Sequence, residues 1–232
     1  MSVLAQFLEQ EGIVTTIVSL IRLHSEKVQP PRSLWVPYEL GRPLGGPGDV
    51  ATQLRVVREA LSLLETALAP SAIVDFDAPP ASTSTWTSPA ATGAGTLQSE
   101  VQALEAAYLA AQTATGRTAV GVSGLSVSAI VSLIDAVSRD EASQEAGEGE
   151  MPLTLKLRYA IDDLKAYYLE AGAGANMTVT SDQLGEWFWR TTVAGKTLIA
   201  LRAQLSQHER RGLQLLGTNF VVPRLWAERL GV

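Results

Sequence analysis

The 232-residue chain has no cysteine and only two histidines, His24 and His208. Without a thiol it has no disulfide, no thiolate metal ligand and no thiol nucleophile of its own. Neither histidine belongs to a His-x-x-x-His or Glu-x-x-His pair, so no metal and no cofactor is expected, and His24 reads as a surface or hydrogen-bonded residue. Positive charge is sparse as well: 18 Lys and Arg stand against 24 Asp and Glu, a net charge of -6. The cations are scattered, which excludes a phosphate-tracking surface, so neither nucleic acid nor an anionic membrane is an expected partner. No stretch approaches the ~18 uninterrupted apolar residues of a membrane span. The N-terminus, MSVLAQFLEQEG, lacks a basic region ahead of an apolar run, so no signal peptide is read and a cytoplasmic protein is expected. The Asn176-Met177-Thr178 sequon then has no glycan to carry.

What is present points to a packed globular protein: 46% of residues are hydrophobic and 18% charged. Val3, Leu4, Phe7 and Leu8 share a helical face ended by Gly12, and 13-IVTTIVSL-20 reads as a buried strand. Leu54, Val57, Leu61, Leu64 and Leu68 recur at steps of three and four, predicting a helix capped by Asp49. A short strand, 72-AIVDF-76, follows. Residues 77–96, rich in Ala, Ser, Thr, Pro and Gly, read as an exposed linker. Beyond it the pattern predicts a helix from Leu97 to Ala111, a strand at 118-TAVGV-122 and a helix carrying Val127, Ile130, Val131 and Ile134. Residues 139–150 read as an acidic solvated loop. Leu153 to Tyr168 forms another helix, and a Thr180/Gln183 capping box opens one whose stripe runs Leu184, Trp187, Leu198, Leu201 and Leu205. Val221 and Val222 suggest a short strand near the end. The expected architecture is α/β, a small mainly parallel sheet covered by helices and followed by a largely helical C-terminal region. Its parts are 1–76, a linker at 77–96, and 97–232. Residues 13–20 are expected to pair with 33–36, 72–76 or 118–122, since an unpaired edge invites aggregation.

The stretch 30-PPRSLWVPYELGRPLGGPGD-49 is the most distinctive. Its glycines fit neither G-x-G-x-x-G nor a Gly-Lys-Ser/Thr signature, so it is not a phosphate cradle. Its prolines and glycines make it a stiff turn leading to the Asp49 helix. Such a loop at a strand end also suits a small-ligand site, with Glu39, Arg42 and Asp49 placed to grip a zwitterion. At 121-GVSG-124 the second glycine comes one residue too early for a nucleophile elbow, which favours a plain strand-to-helix turn. Asp162 and Asp163, adjacent on a helix, point about 100° apart and cannot act as a carboxylate pair. The aromatic runs 186-EWFWRTT-192 and 163-DLKAYYLEA-171 read either as helices buried between layers or as a face for a ligand or partner chain, with Trp187, Trp189 and Arg190 the residues of that face.

The segments 7-FLEQEGIVTTIVSL-20, 31-PRSLWVPYELGRPLGGPGD-49 and 60-ALSLLE-65, with Gln53, resemble the C-terminal part of the selenoprotein B family of the glycine, sarcosine, betaine and D-proline reductases. The likeness is nearer to short proteins given that label by similarity, in which counterparts of 118-TAVGVSGL-125, 163-DLKAYYLEA-171 and 184-LGEWFWRTTVAGKTL-198 follow. The resemblance implies a reductase-like protein or subunit acting on a small amine or amino-acid derivative. The family's selenocysteine or cysteine, three residues before a second cysteine, precedes the helix that here begins near Ser2, where the helix N-terminus favours the ionised nucleophile. That position lies before Met1, so no redox residue is carried over. The expectation is either a redox group supplied by a partner subunit, or upstream coding for more strands and a selenocysteine or cysteine pair. The alternative is a non-catalytic α/β-helical protein that binds a partner, another subunit or a second copy of itself.

Overall fold

The computed structural model describes residues 2–66, 71–78, 86–89, 95–141, 151–174 and 179–232, and the chain divides into two compact units, 1–84 and 85–232. Residues 142–150 of the expected acidic loop, the Asn176 sequon, Leu68 and most of 77–96 lie outside the described residues.

The N-terminal unit runs α1 (Ser2–Gln10), β1 (Ile17–Ser19), α2 (Arg22–Val28), β2 (Arg32–Trp35), α3 (Val50–Thr66) and β3 (Ala72–Asp75). Its strands form a parallel sheet in the order β1-β2-β3, with Val18 opposite Leu34 and Leu34 opposite Val74. Residues 13–20 thus pair with the 33–36 segment, as the edge-strand argument requires, although only 17–19 are strand. The central strand, flanked on both sides, buries Ser33, Leu34 and the following Val36 completely. The short helix 22-RLHSEKV-28, with neither an apolar period nor a side-chain N-cap, leaves no trace in the pattern.

Asp49 caps α3 as expected, accepting from the Thr52 backbone N–H at 3.1 Å. The apolar stripe faces away from the sheet. Thr52, Val56, Ala60 and Leu63 are buried, while Leu54, Val57, Leu61 and Leu64 are exposed. The inner face carries the smaller residues, which let the helix axis lie close to the sheet. Periodicity reports an apolar stripe, not which side the sheet takes. Leu34, Val36, Val56, Ala60, Leu63 and Phe76 form this unit's core.

The C-terminal unit is helical: α4 (Leu97–Thr115), α5 (Val127–Ser138), α6 (Leu153–Ala173), α7 (Ser181–Glu186), a π-helical turn at Trp187–Thr191, α8 (Val193–Ser206), α9 (Arg211–Asn219) and α10 (Arg224–Leu230). The Thr180/Gln183 capping box forms as expected. One continuous helix through Trp187 to Leu205 does not: the Thr191 and Thr192 hydroxyls each donate back four residues at 2.6 Å, to Trp187 O and Phe188 O, and Thr192 then caps α8 by accepting from Gly195 N–H. A Cβ on Gly195 would lie 2.1 Å from Phe188 O, so only glycine permits this approach. Glu100, buried on α4, completes the joint, accepting from the Val193 and Ala194 N–H groups at 2.9 and 3.0 Å and from the Tyr168 hydroxyl at 2.8 Å.

The strand expected at 118–122 is instead a turn, clamped by two α6 carboxylates seven residues apart on one helix face. Buried Asp163 accepts from Val122 N–H, Ser123 N–H and the Ser123 hydroxyl; Glu170 accepts from Ala119 N–H and the Thr118 hydroxyl. Backbone groups that a strand would pair with a neighbour are satisfied here by side chains. Val221 and Val222 are likewise not strand but a buried bend between α9 and α10. Within the expected linker, Trp86 is half-buried on the helical unit, donating its indole N–H to Gly172 O at 3.0 Å and meeting Trp187 edge-on at 6.0 Å.

Candidate functional site

In a parallel sheet the loops at the C-terminal strand ends gather side chains that the rigid strands position. Here β2 ends at Trp35 and opens into the proline- and glycine-rich loop, where Arg42 N–H donates to Glu39 O at 2.9 Å and Gly45 N–H to Arg42 O at 3.0 Å. These successive turns present Glu39 and Arg42, both half-buried, three residues apart on one loop. Tyr38 anchors it, its ring 6.0 Å from Phe76. Gly45, at φ +94°, presses against that ring; a Cβ there would sit 3.3 Å from Tyr38 Cζ. The Tyr38 hydroxyl is buried without a hydrogen-bond partner, and burial raises its pKa above the usual tyrosine value.

Asp49, expected to join Glu39 and Arg42, is committed to the helix cap. Hydrogen bonds from the Thr52 side chain and backbone hold its carboxyl below the usual carboxylate range. It adds negative charge beside Tyr38 rather than a free ligand group. Gln53, which the resemblance includes, ties the loop to its helix by donating to Gly46 O at 2.9 Å.

The same end of the sheet brings together three residues that sequence reasoning missed. Arg22, the first residue of α2, pairs with Asp75 at the end of β3 and with Glu26 one turn on, and its guanidinium lies 5.5 Å from the ring centre of Trp35 at the end of β2. The signal available was positional, since residues flanking the C-terminal ends of adjacent parallel strands converge; it needed the strand order. The arrangement holds charge and offers a flat aromatic surface. It contains no nucleophile and no histidine.

The other candidates resolve into structure. Trp187 and Trp189 are 5% and 4% exposed, packed with Tyr168 and Phe188 in the helical core, which favours the buried alternative for these two rings. Large rings on both sides of this segment are used because helices pack on both sides. Arg190 is half-exposed and pairs with Glu186 at 2.6 Å within the same turn. Ser123 has its hydroxyl donated to Asp163 at 2.6 Å while accepting from Leu125 N–H, the role of a turn staple. Asp162 points instead to Lys165 at 2.9 Å, so the two adjacent acids do diverge. A cleft lined by Tyr108, Tyr167, Glu105 and Ser126 encloses about 200 Å³, below the ~300 Å³ at which small-molecule sites begin. Among the described residues no cluster of His, Asp or Glu is arranged to hold a metal ion, and no helix is long and apolar enough to cross a membrane. Compared with known proteins, the chain matches no family model, no curated protein and no solved structure.

Proposed function

We propose that the chain is a thiol-free, substrate-holding relative of the selenoprotein B subunits of amino-acid reductases, working with a redox group carried by another chain. The observation that supports this reading is the stiff loop at the C-terminal end of β2, which carries Glu39 and Arg42, both half-buried and three residues apart, in a protein without cysteine. The ligand class is a small amine or amino-acid derivative. Arg42 pairs with its carboxylate and Glu39 with its ammonium group, a division of labour that opposite charges on one rigid loop permit. The chain itself breaks no bond, because a reductive cleavage needs two electrons that none of its side chains supplies.

Calorimetric titration with glycine, sarcosine, betaine and proline tests the reading. Binding of at least one, weakened about tenfold or more by Arg42→Ala and by Glu39→Ala, is the expected result. No binding of any of the four overturns it, and so does dithiol-dependent turnover by the purified chain alone. A second reading, a partner-binding protein without a substrate, is favoured by the apolar residues that α3 turns outward.

A further inference from the structure

The Tyr38 hydroxyl is buried and meets no hydrogen-bond partner among the described residues. Its ring packs on Phe76 and the core of the N-terminal unit, a task that phenylalanine would perform equally well. A buried hydroxyl without a partner costs folding free energy, and one that is kept marks a group used by something that comes and goes. On the reading of this loop as a ligand site, we infer that the Tyr38 hydroxyl is a ligand-contacting group, donating to the ligand's carboxylate when residues 42–47 swing away on Gly41 and Gly48.

The cover over the hydroxyl is the loop itself. A Cβ on buried Gly45 would stand 3.3 Å from Tyr38 Cζ, the atom that carries the hydroxyl, and 3.2 Å from the Thr52 methyl. The Gly45 backbone therefore closes the gap between the ring and α3, and the hydroxyl is shut off from solvent while it stays there. The segment that carries Gly45 is suited to moving as one piece. Pro43 and Pro47 fix its backbone, and Gly45 N–H donates to Arg42 O inside it at 3.0 Å. It is bounded by Gly41 at φ +89° and Gly48 at φ +79°, positions where glycine turns at little cost. Leu44, half-buried on the core cluster, and the Gln53 amide, donating to Gly46 O, hold it down. The bonds that span the two glycines, Arg42 N–H to Glu39 O at 2.9 Å and Asp49 N–H to Gly46 O at 3.3 Å, break when it opens. Burial keeps the phenol neutral and so a donor, and of the charges near it Arg55 acts most strongly, ahead of Asp49 and Glu59. A carboxylate oxygen, drawn by that guanidinium, is the acceptor that suits it.

Tyr38→Phe removes the hydroxyl and keeps the ring. The full-length variant should melt at or above the wild-type temperature, because the unpartnered group is gone. In titrations with glycine, sarcosine, betaine and proline it should bind the wild-type ligand about ten- to hundredfold more weakly. Amide exchange tests the cover without a ligand: Arg42 and Asp49 N–H should exchange faster than Gly45 N–H, which moves with its own acceptor, and Gln53→Ala should speed the first two several-fold. Exchange at Arg42 and Asp49 as slow as at Val36, whose N–H is bonded to Ser19 O within the sheet, means a fixed cover and overturns the inference. So does a Tyr38→Phe chain that melts well below wild type, since the hydroxyl then has a structural partner. Binding that Arg42→Ala and Glu39→Ala weaken but Tyr38→Phe leaves alone overturns this inference and spares the loop reading. Weakening by Tyr38→Phe alone does the reverse, and no binding of any of the four overturns both.

Discussion

The two units solve the problem of a core in different ways. Among the described residues the N-terminal unit buries six apolar residues in one cluster and leaves Val3, Leu4, Phe7 and the outer face of α3 exposed. Among the described residues the C-terminal unit buries twenty-nine in one cluster, the rings of Tyr168, Phe188, Trp187 and Trp189 among them. Buried polar groups differ to match. In the helical unit, Glu100 and Asp163 each accept three hydrogen bonds and so join separate elements without leaving a lone buried charge. In the N-terminal unit the main ion pairs, Arg32 with Glu9 and Arg22 with Asp75, remain in contact with solvent. A unit with a small core has little apolar burial to set against the entropy of ordering its chain, and a unit with a large core has more.

The sharpest way to break this contrast is to cut into the larger core. Trp187→Ala should cost about 3–5 kcal/mol and lower the melting temperature of the helical unit, with the smaller unit's transition unmoved. A cost under about 1 kcal/mol would mean that the ring is not core. Glu100→Ala leaves the Val193 and Ala194 N–H groups and the Tyr168 hydroxyl without their acceptor, an expected loss of about 2–5 kcal/mol, visible as faster amide exchange at the start of α8. Exchange unchanged at Val193 would show that the carboxylate does not cap the helix.

In the smaller unit the two faces of α3 supply the comparison. Val56→Ala, on the inner face, should cost about 1–3 kcal/mol, whereas Leu54→Ser, on the outer face, should cost about 0.5 kcal/mol or less. Equal losses at both positions would remove the assignment of inner and outer faces.

The smallest effects are those of pH, and they run in opposite directions in the two units. Glu9 is held below the usual carboxylate range, first by the Thr15 backbone N–H at 2.5 Å and also by the Arg32 guanidinium at 2.6 Å. Its contribution is therefore present above the unfolded value of about 4.3 and lost as pH falls through the folded one. Tyr167 is pushed up to about 12, chiefly by burial, and Tyr168 is raised further by burial and by its bond to Glu100. A raised phenol stabilises the fold below its unfolded pKa of about 10 and ceases to do so as pH climbs through the folded value. Melting curves should show the small unit weakening on the acid side and the helical unit on the alkaline side. Glu9→Gln should flatten the first dependence and Tyr167→Phe part of the second; a helical unit equally stable at pH 9 and 12 would refute the latter.

Much of the fold was legible wherever the signal is local. The Asp49 cap, the Thr180/Gln183 box, the strands at 72–75 and 33–35 and most of the helices depend on groups within a few residues of one another, so a single stretch of sequence carries the cause and its effect. The candidate site was half legible: the 31–49 loop announces itself by composition, but the convergence of Arg22, Trp35 and Asp75 exists only after strands 17–19, 33–35 and 72–75 have paired. Tertiary structure alone decided the orientation of α3, the turn at 118–122 and the break at Thr192. In each case the local pattern admits two outcomes of similar cost, and a distant partner chooses between them: the sheet that accepts the smaller face of α3, the α6 carboxylates that satisfy the turn, and Glu100, 93 residues from Val193, that caps a helix the sequence would otherwise have continued.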